Sequence, residues 1–200
     1  MAIVGDTAKT STEAPEERSV RADARRNLDA LLCAAMEVFA TSGVDAPVRE
    51  IAEKAGVGVG TVYRHFPQRS DLIKALVRQE VDSCAEAAPA LAAAHAPGEA
   101  LSLWMQRFAD LVMAKRGLAA ALHSGDPAYE SLPDYFLGKL GPALQGLLDT
   151  AAAAGAARTD VKAKELLLAA ARLASAGEAA QARRMMSLLV DGLRYGAKTS

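Results

Sequence analysis

The chain has 200 residues, 23 of them Lys or Arg and 24 Asp or Glu, for a net charge of −1, with half of its residues hydrophobic and few aromatics. This length suits one or two small domains with a real core, and the near-neutral balance excludes a polycation that coats nucleic acid. Two cysteines, Cys33 and Cys84, fall on different predicted helices, make no metal-like cluster and are expected to be reduced and inert.

In chain order, residues 1–17 are polar and acidic without apolar periodicity and are expected to be disordered, with a partly basic tail extending to residue 23. They hold no apolar stretch of the secretory type, and no run elsewhere is long and apolar enough to span a membrane. A cytoplasmic protein is expected. Arg18, Arg21, Arg25 and Arg26 follow, either as a solvated helix start or as a basic arm for phosphate or a minor groove, with Arg25 and Arg26 the better candidates. Leu28, Leu31, Leu32, Ala35 and Phe39 then recur at helical spacing until Gly43.

Residues 47–66 read as two short helices joined by a glycine turn. Val48, Ile51, Ala52 and Ala55 put one apolar stripe on the first, Lys54 sits in its last turn, and Gly56 can end it in the left-handed region. In the second, Val62 and Phe66 point inward, which leaves Thr61, Tyr63, Arg64 and His65 outward. A hydroxyl, a phenol, a cation and an imidazole on one short helix suit a DNA groove, and the connection matches a helix-turn-helix. A phosphate-cradling loop at Gly56, Gly58 and Gly60 is disfavoured, because a helix and not a strand precedes it.

Ser70 and Asp71 are expected to start the next helix, which Pro89 interrupts after about Ala87. From Pro97 on the chain is helical with turn punctuation. Leu101, Trp104, Met105, Phe108, Leu111 and Val112 share one face of a helix over residues 98–114, and a short helix follows near Leu118 to Leu122. Pro133, Gly138 and Gly141 predict short, broken helices up to Pro142, where a clearer helix begins. Thr159-Asp160 is expected to cap a helix reaching Ser175, and the last helix runs from Glu178 to Tyr195.

The segment Ile-Ala-x-x-Ala-Gly-Val (51–57) followed by Gly-Thr-Val-Tyr-Arg-His-Phe (60–66), with Arg-Ser-Asp-Leu at 69–72, resembles the DNA-binding signature of the TetR family of bacterial transcriptional regulators. The resemblance covers roughly residues 24–84, with one departure: Asp45-Ala46-Pro47 stands where the family often has a Ser or Thr cap. It implies an all-α chain: a three-helix helix-turn-helix domain over 24–84, then a larger helical ligand-binding and dimerisation domain over 85–200. It also implies DNA roles for Arg49, Val59, Gly60, Thr61, Tyr63, His65 and Arg69. Val59 and Gly60 lack hydrogen-bonding side chains, so they can meet only thymine methyls or sugar. Arg49 and Arg69 are expected to clamp the groove walls, and Arg64 joins the exposed set.

No motif for catalysis or metal binding is present, so neither a catalytic residue nor a cofactor is expected. Trp104, Met105, Phe108, Met113, His123, Tyr129, Tyr135 and Phe136 are the bulky or polar-tipped groups from which a mostly apolar effector site could be built, or plain core. Leu166, Leu167, Ala170 and Leu173, with Met185, Met186, Leu189, Val190 and Leu193, give the last two helices more apolar surface than one small domain needs. Pairing them across a two-fold axis into a four-helix bundle would bury it, as the resemblance also implies. The expectation is a homodimeric repressor released from a palindromic double-stranded DNA operator by an unknown small-molecule effector. The alternatives are a ligand-independent regulator or activator of the same fold and, more remotely, a helical binding protein or enzyme.

Overall fold

A computed structural model describes residues 15–175 and 177–195, with side chains from residue 26 onward except that of residue 120. Among the described residues the fold is all-α: α1 (Pro15–Ser42), α2 (Val48–Ala55), α3 (Val59–His65), α4 (Arg69–Ala94), α5 (Pro97–Ala114), α6 (Ala119–Leu122), α7 (Leu132–Ala153), α8 (Ala163–Ser175) and α9 (Ala179–Arg194). Two 3-10 turns, Lys115–Leu118 and Pro127–Tyr129, flank α6. No helix among these residues is long and apolar enough to cross a membrane.

The expected tail is shorter than its residues suggested. Pro15, whose ring presets φ for a first helical turn, opens α1, and residues 15–23 are helical. Residues 1–14 lie outside the described residues. Leu31, Leu32, Ala35, Val38 and Phe39 bury one face of α1, and Gly43 ends it at φ 80°.

Helix α2 begins after Pro47 and buries Ile51 and Ala52 against α1. Gly56 takes φ 67°, and the Val57 N–H donates back to the Ala52 carbonyl at 3.0 Å, closing the helix. The chain then turns into α3, whose Val62 is buried, while Phe66 just beyond packs into the same core.

Helix α4 starts one residue before the expected Ser70 cap, because Gln68 and Asp71 form a reciprocal capping box. It also runs through Pro89 to Ala94, beyond the interruption expected there. Pro89 is exposed, and its missing N–H frees only the Ala85 carbonyl. Alanine-rich sequence on both sides and packing against α5 and α7 hold the helix together. The boundary expected after Cys84 therefore lies inside a continuous helix. One apolar core runs from Leu31 in α1 to Leu193 in α9, and Leu72, Ile73, Leu76, Val77, Val81 and Cys84 of α4 thread through it.

The broken helices expected over 125–142 are replaced by one helix. Pro133 falls in the first turn of α7, where it is tolerated, while Gly138 and Pro142 are exposed. Leu140, Leu144, Leu147, Leu148 and Ala151 continue one buried stripe across both halves. Burial of that stripe outweighs the local breakers. Asp160 does not cap α8. It pairs with Arg158, and Gln145 of α7 accepts from the Ala163 N–H at the helix start.

Candidate nucleic-acid interface and ligand cavity

Burial of Val62 and Phe66 turns the opposite face of α3 outward. Arg64 lies at its centre and folds back over the preceding turn. Its Nε donates to the Gly60 carbonyl at 3.2 Å and a terminal nitrogen to the Thr61 hydroxyl at 3.0 Å. Tyr63, 52% exposed, and His65 flank it, and Val59 is exposed at the start of the helix. A side chain added at Gly60 would meet nothing within 4 Å, so nothing inside the protomer requires glycine there. Of the expected contact residues, Val59, Gly60, Thr61, Tyr63, Arg64 and His65 therefore share one short helix. Arg49, exposed on α2, pairs with Glu53 one turn on at 2.9 Å. Arg26 is exposed on α1, and the side chain of Arg25 lies outside the described residues.

Arg69 is placed differently from the groove clamp expected of it. Its guanidinium points back into the protein and donates to the carbonyls of Val44 and, at 2.7 Å, Ala46, with its carbon 5.8 Å from the centre of the Phe39 ring. The loop between α1 and α2 has carbonyls that no helix satisfies, and a planar fork of donors suits two of them at once. Arg69 thereby fixes the approach of α2, and through it of α3, to the rest of the protomer. The Lys54–Glu37 pair at 2.7 Å adds a surface link between α2 and α1.

The aromatic residues after Pro97 divide into core and cavity. Trp104, Met105 and Phe108 are wholly buried. The indole N–H donates to the Cys84 carbonyl at 2.9 Å, and the Trp104 and Phe108 rings stack 5.9 Å apart, so these three are structural core. Met113 is half-buried. Tyr135 donates its hydroxyl to Asp82 at 2.6 Å, with the Lys139 ammonium 3.2 Å from the other carboxylate oxygen; burial foremost, and this bond, push its pKa up to about 12. His123, Tyr129 and Phe136 do come together. With Val77, Lys115, Leu122, Leu132 and Pro133 they line a cavity of about 270 Å³ between α4, α6 and the start of α7.

The sequence reading passed over Lys115, Arg116 and Gly117, three consecutive residues facing three directions. The Lys115 ammonium lies in the cavity wall, 4.8 Å from the centre of the Phe136 ring. Arg116 donates to the carbonyls of Gly177 and, at 2.8 Å, Ala174, tying this turn to the α8–α9 corner. Gly117 abuts α1: a Cβ there would stand 2.7 Å from the Phe39 carbonyl oxygen. The available signal was two cations and a glycine interrupting an apolar run between Leu111 and Leu118. Tyr129 is a second link, since it also borders the cleft between the halves, which Val44, Asp45 and Arg69 line from the other side.

The expected interface face is largely occupied within the protomer. Leu166, Leu167, Ala170, Met186, Val190 and Leu193 are buried, where α8 and α9 pack on each other and on α5. Met185 and Leu189 are half-buried and Leu173 is 37% exposed. Besides Leu173, the large apolar residues exposed here are Leu168 on α8, Leu188, 59% exposed, on α9, and Tyr195 just after it.

Residues 31–76 match the family described as bacterial regulatory proteins, tetR family, and residues 96–195 match the transcriptional regulator SbtR-like C-terminal domain. The crystal structure of a TetR transcriptional regulator from Streptomyces coelicolor is 41% identical, with a TM-score of 0.70 over 84% of this chain and 99% of that one. A TetR transcription regulatory protein from Mycobacterium vanbaalenii is 36% identical, with a TM-score of 0.67 over 88% of this chain and 99% of its own. An HTH-type transcriptional regulator of Staphylococcus aureus (strain USA300) is 34% identical over 64 residues, 32% of this chain and only 35% of that relative's length. With both halves of the chain matched, and two relatives superposing along nearly their whole length, the chain belongs to the TetR family of bacterial transcriptional regulators.

Proposed function

We propose that the protein is a homodimeric, cytoplasmic regulator that represses by occupying a palindromic DNA operator and leaves it when a small molecule enters the Lys115–Phe136 cavity. Residues 24–84 form the DNA-binding part and residues 85–200 the effector and dimer part, with α4 belonging to both. Gly60, Thr61, Tyr63 and Arg64 read the major groove. Arg49, His65 and the arginines of α1, Arg25 and Arg26, meet phosphates. Arg69 acts indirectly, by holding the α1–α2 loop.

The observation that carries the release mechanism is the 3-10 turn Lys115–Leu118. One residue of this turn lines the cavity, the next holds the α8–α9 corner, and the third lies against the α1 backbone. A ligand that displaces Lys115 or Phe136 pushes on a turn with no slack toward α1, because Gly117 has no side chain to compress. Tyr129 carries the same displacement to the cleft beside Arg69. The ligand thus favours protomers whose recognition helices no longer match the half-site spacing. A coupling of about 1–3 kcal/mol is sufficient for a 5- to 150-fold change in operator affinity.

Selection from a random duplex library with the purified full chain tests the reading. The expected result is a two-fold symmetric site whose half-sites lie about one helical turn apart, bound by two protomers. Enrichment of a sequence without two-fold symmetry, or binding by a single protomer, would refute the dimeric operator.

A further inference from the structure

The lining of the cavity also points to the chemistry of its occupant, on the premise that this cavity is the effector site. Five of its eight lining residues are apolar: Val77, Leu122, Leu132, Pro133 and Phe136. The polar residues are Lys115, His123 and Tyr129, and none of the eight is an acid. The His123 Nδ1–H donates to the Ala119 carbonyl at 2.8 Å, so Nε2 is the ring nitrogen without that bond.

Lys115 is the unusual member. The neighbouring cations are engaged: Lys139 with Asp82, Arg107 with the Ser83 hydroxyl, and Arg116 with backbone carbonyls. Lys115 faces the Phe136 ring, and among the described residues it has no ion-pair partner. Burial pulls its pKa down to about 8, and Cys84 and Glu80, the titratable groups facing it from α4, only partly oppose that shift. An ammonium in an apolar wall carries a desolvation cost that Glu80 and Cys84 offset only in part, and an anion alongside it relieves the rest. The space is just below the range of about 300–1,000 Å³ typical of drug-sized ligands, which limits the body to a fused-ring or short acyl group.

We propose that the cavity takes a small monocarboxylic acid, its carboxylate paired with the Lys115 ammonium and its apolar body against Leu122, Leu132 and Phe136. A neutral molecule of the same shape leaves the desolvated cation unpaired and binds less tightly.

Calorimetry of the full chain with 2-naphthoate and its neutral isostere 2-naphthamide, at pH 8 in two buffers of different ionisation enthalpy, tests this. The acid should bind at least about tenfold more tightly than the amide. Its binding should also take up about half a proton, because a lysine of pKa about 8 is half-deprotonated at this pH and the carboxylate restores its charge. Lys115→Gln should abolish both the preference and the uptake, bringing the affinity for the acid down to that for the amide. Lys115→Arg should keep the preference and lose the uptake, which separates the charge from any effect on folding. Equal affinity for acid and amide, no binding of the acid, or full acid binding by Lys115→Gln would overturn the proposal. Anisotropy on operator DNA separates this result from the premise. If the amide releases operator as well as the acid does, the cavity is the effector site and the ligand class is wrong. Acid binding with proton uptake but no change in DNA affinity upholds the class and removes the effector role.

Discussion

The guanidinium of Arg69, at the start of α4, donates to the carbonyl of Ala46 at 2.7 Å across the loop that introduces α2. A residue at the edge of the DNA-binding signature is thus engaged within the protomer. Arg69→Ala should lower stability by about 2–3 kcal/mol, as loss of hydrogen bonds from a charged donor does. Affinity for all DNA should fall with it, while the slope of log affinity against log salt stays unchanged. A phosphate contact would instead reduce that slope by about 0.9. Thermal melts beside a salt titration distinguish the two outcomes.

Thr61 and Arg64 form a pair on the outward face of α3, the hydroxyl accepting from the guanidinium at 3.0 Å. Thr61→Ala and Arg64→Ala should each change stability by no more than about 0.5 kcal/mol, since both act at the surface. Both should lower the preference for the selected operator over random duplex. Because Thr61 positions Arg64, the two losses should not add, with a coupling of about 0.5–3 kcal/mol in a double-mutant cycle read by competition binding. Strict additivity would show that they read DNA separately.

Leu188 and Met186 stand two residues apart on α9 with opposite exposure, 59% and 0%. Leu188→Glu should leave a folded protomer that sediments as a monomer and binds operator weakly. Met186→Glu buries a carboxylate without a partner and should unfold the chain, at a cost beyond about 4–5 kcal/mol. A dimeric Leu188→Glu protein would place the two-fold axis away from this face.

Lys115 gives a pH signature. Burial holds its folded pKa at about 8, below the ordinary 10.5, so the unfolded chain binds more protons between these values and stability rises with pH across that window. Below about pH 8 both states are protonated and the full cost of the buried cation is present. Lys115→Met should therefore raise stability by about 1–3 kcal/mol at pH 7, and the gain should shrink to near nothing above pH 10.5. Chemical denaturation of the two proteins at pH 7 and pH 10.5 measures it. A gain that does not vary with pH would indicate a packing effect.

Local pattern alone determined the all-α class, the helix-turn-helix and the outward set on α3. A 3.6-residue apolar period and the left-handed preference at Gly56 act within a few residues of chain, and Val62 and Phe66 leave only one face for Thr61, Tyr63 and Arg64. Where two segments compete for the same apolar surface, local pattern has no vote. The stripes of α8 and α9 read as a subunit face, yet Leu166, Met186 and Val190 are covered within the protomer, while Leu168, Leu173 and Leu188 remain outside. Phe108 and Phe136 have the same side chain, and only the meeting of α4, α5 and α7 makes the first core and the second a cavity wall. Pro89, Pro133 and Pro142 read as breaks, but Pro133 falls in the first turn of α7, where no helix bond is lost, and long-range burial along α4 and α7 outweighs one missing hydrogen bond each at Pro89 and Pro142. The inward turn of Arg69 and the placement of Lys115 both depend on groups many residues away, the Val44 and Ala46 carbonyls for one and the Phe136 ring for the other. A sequence window of one helix contains neither.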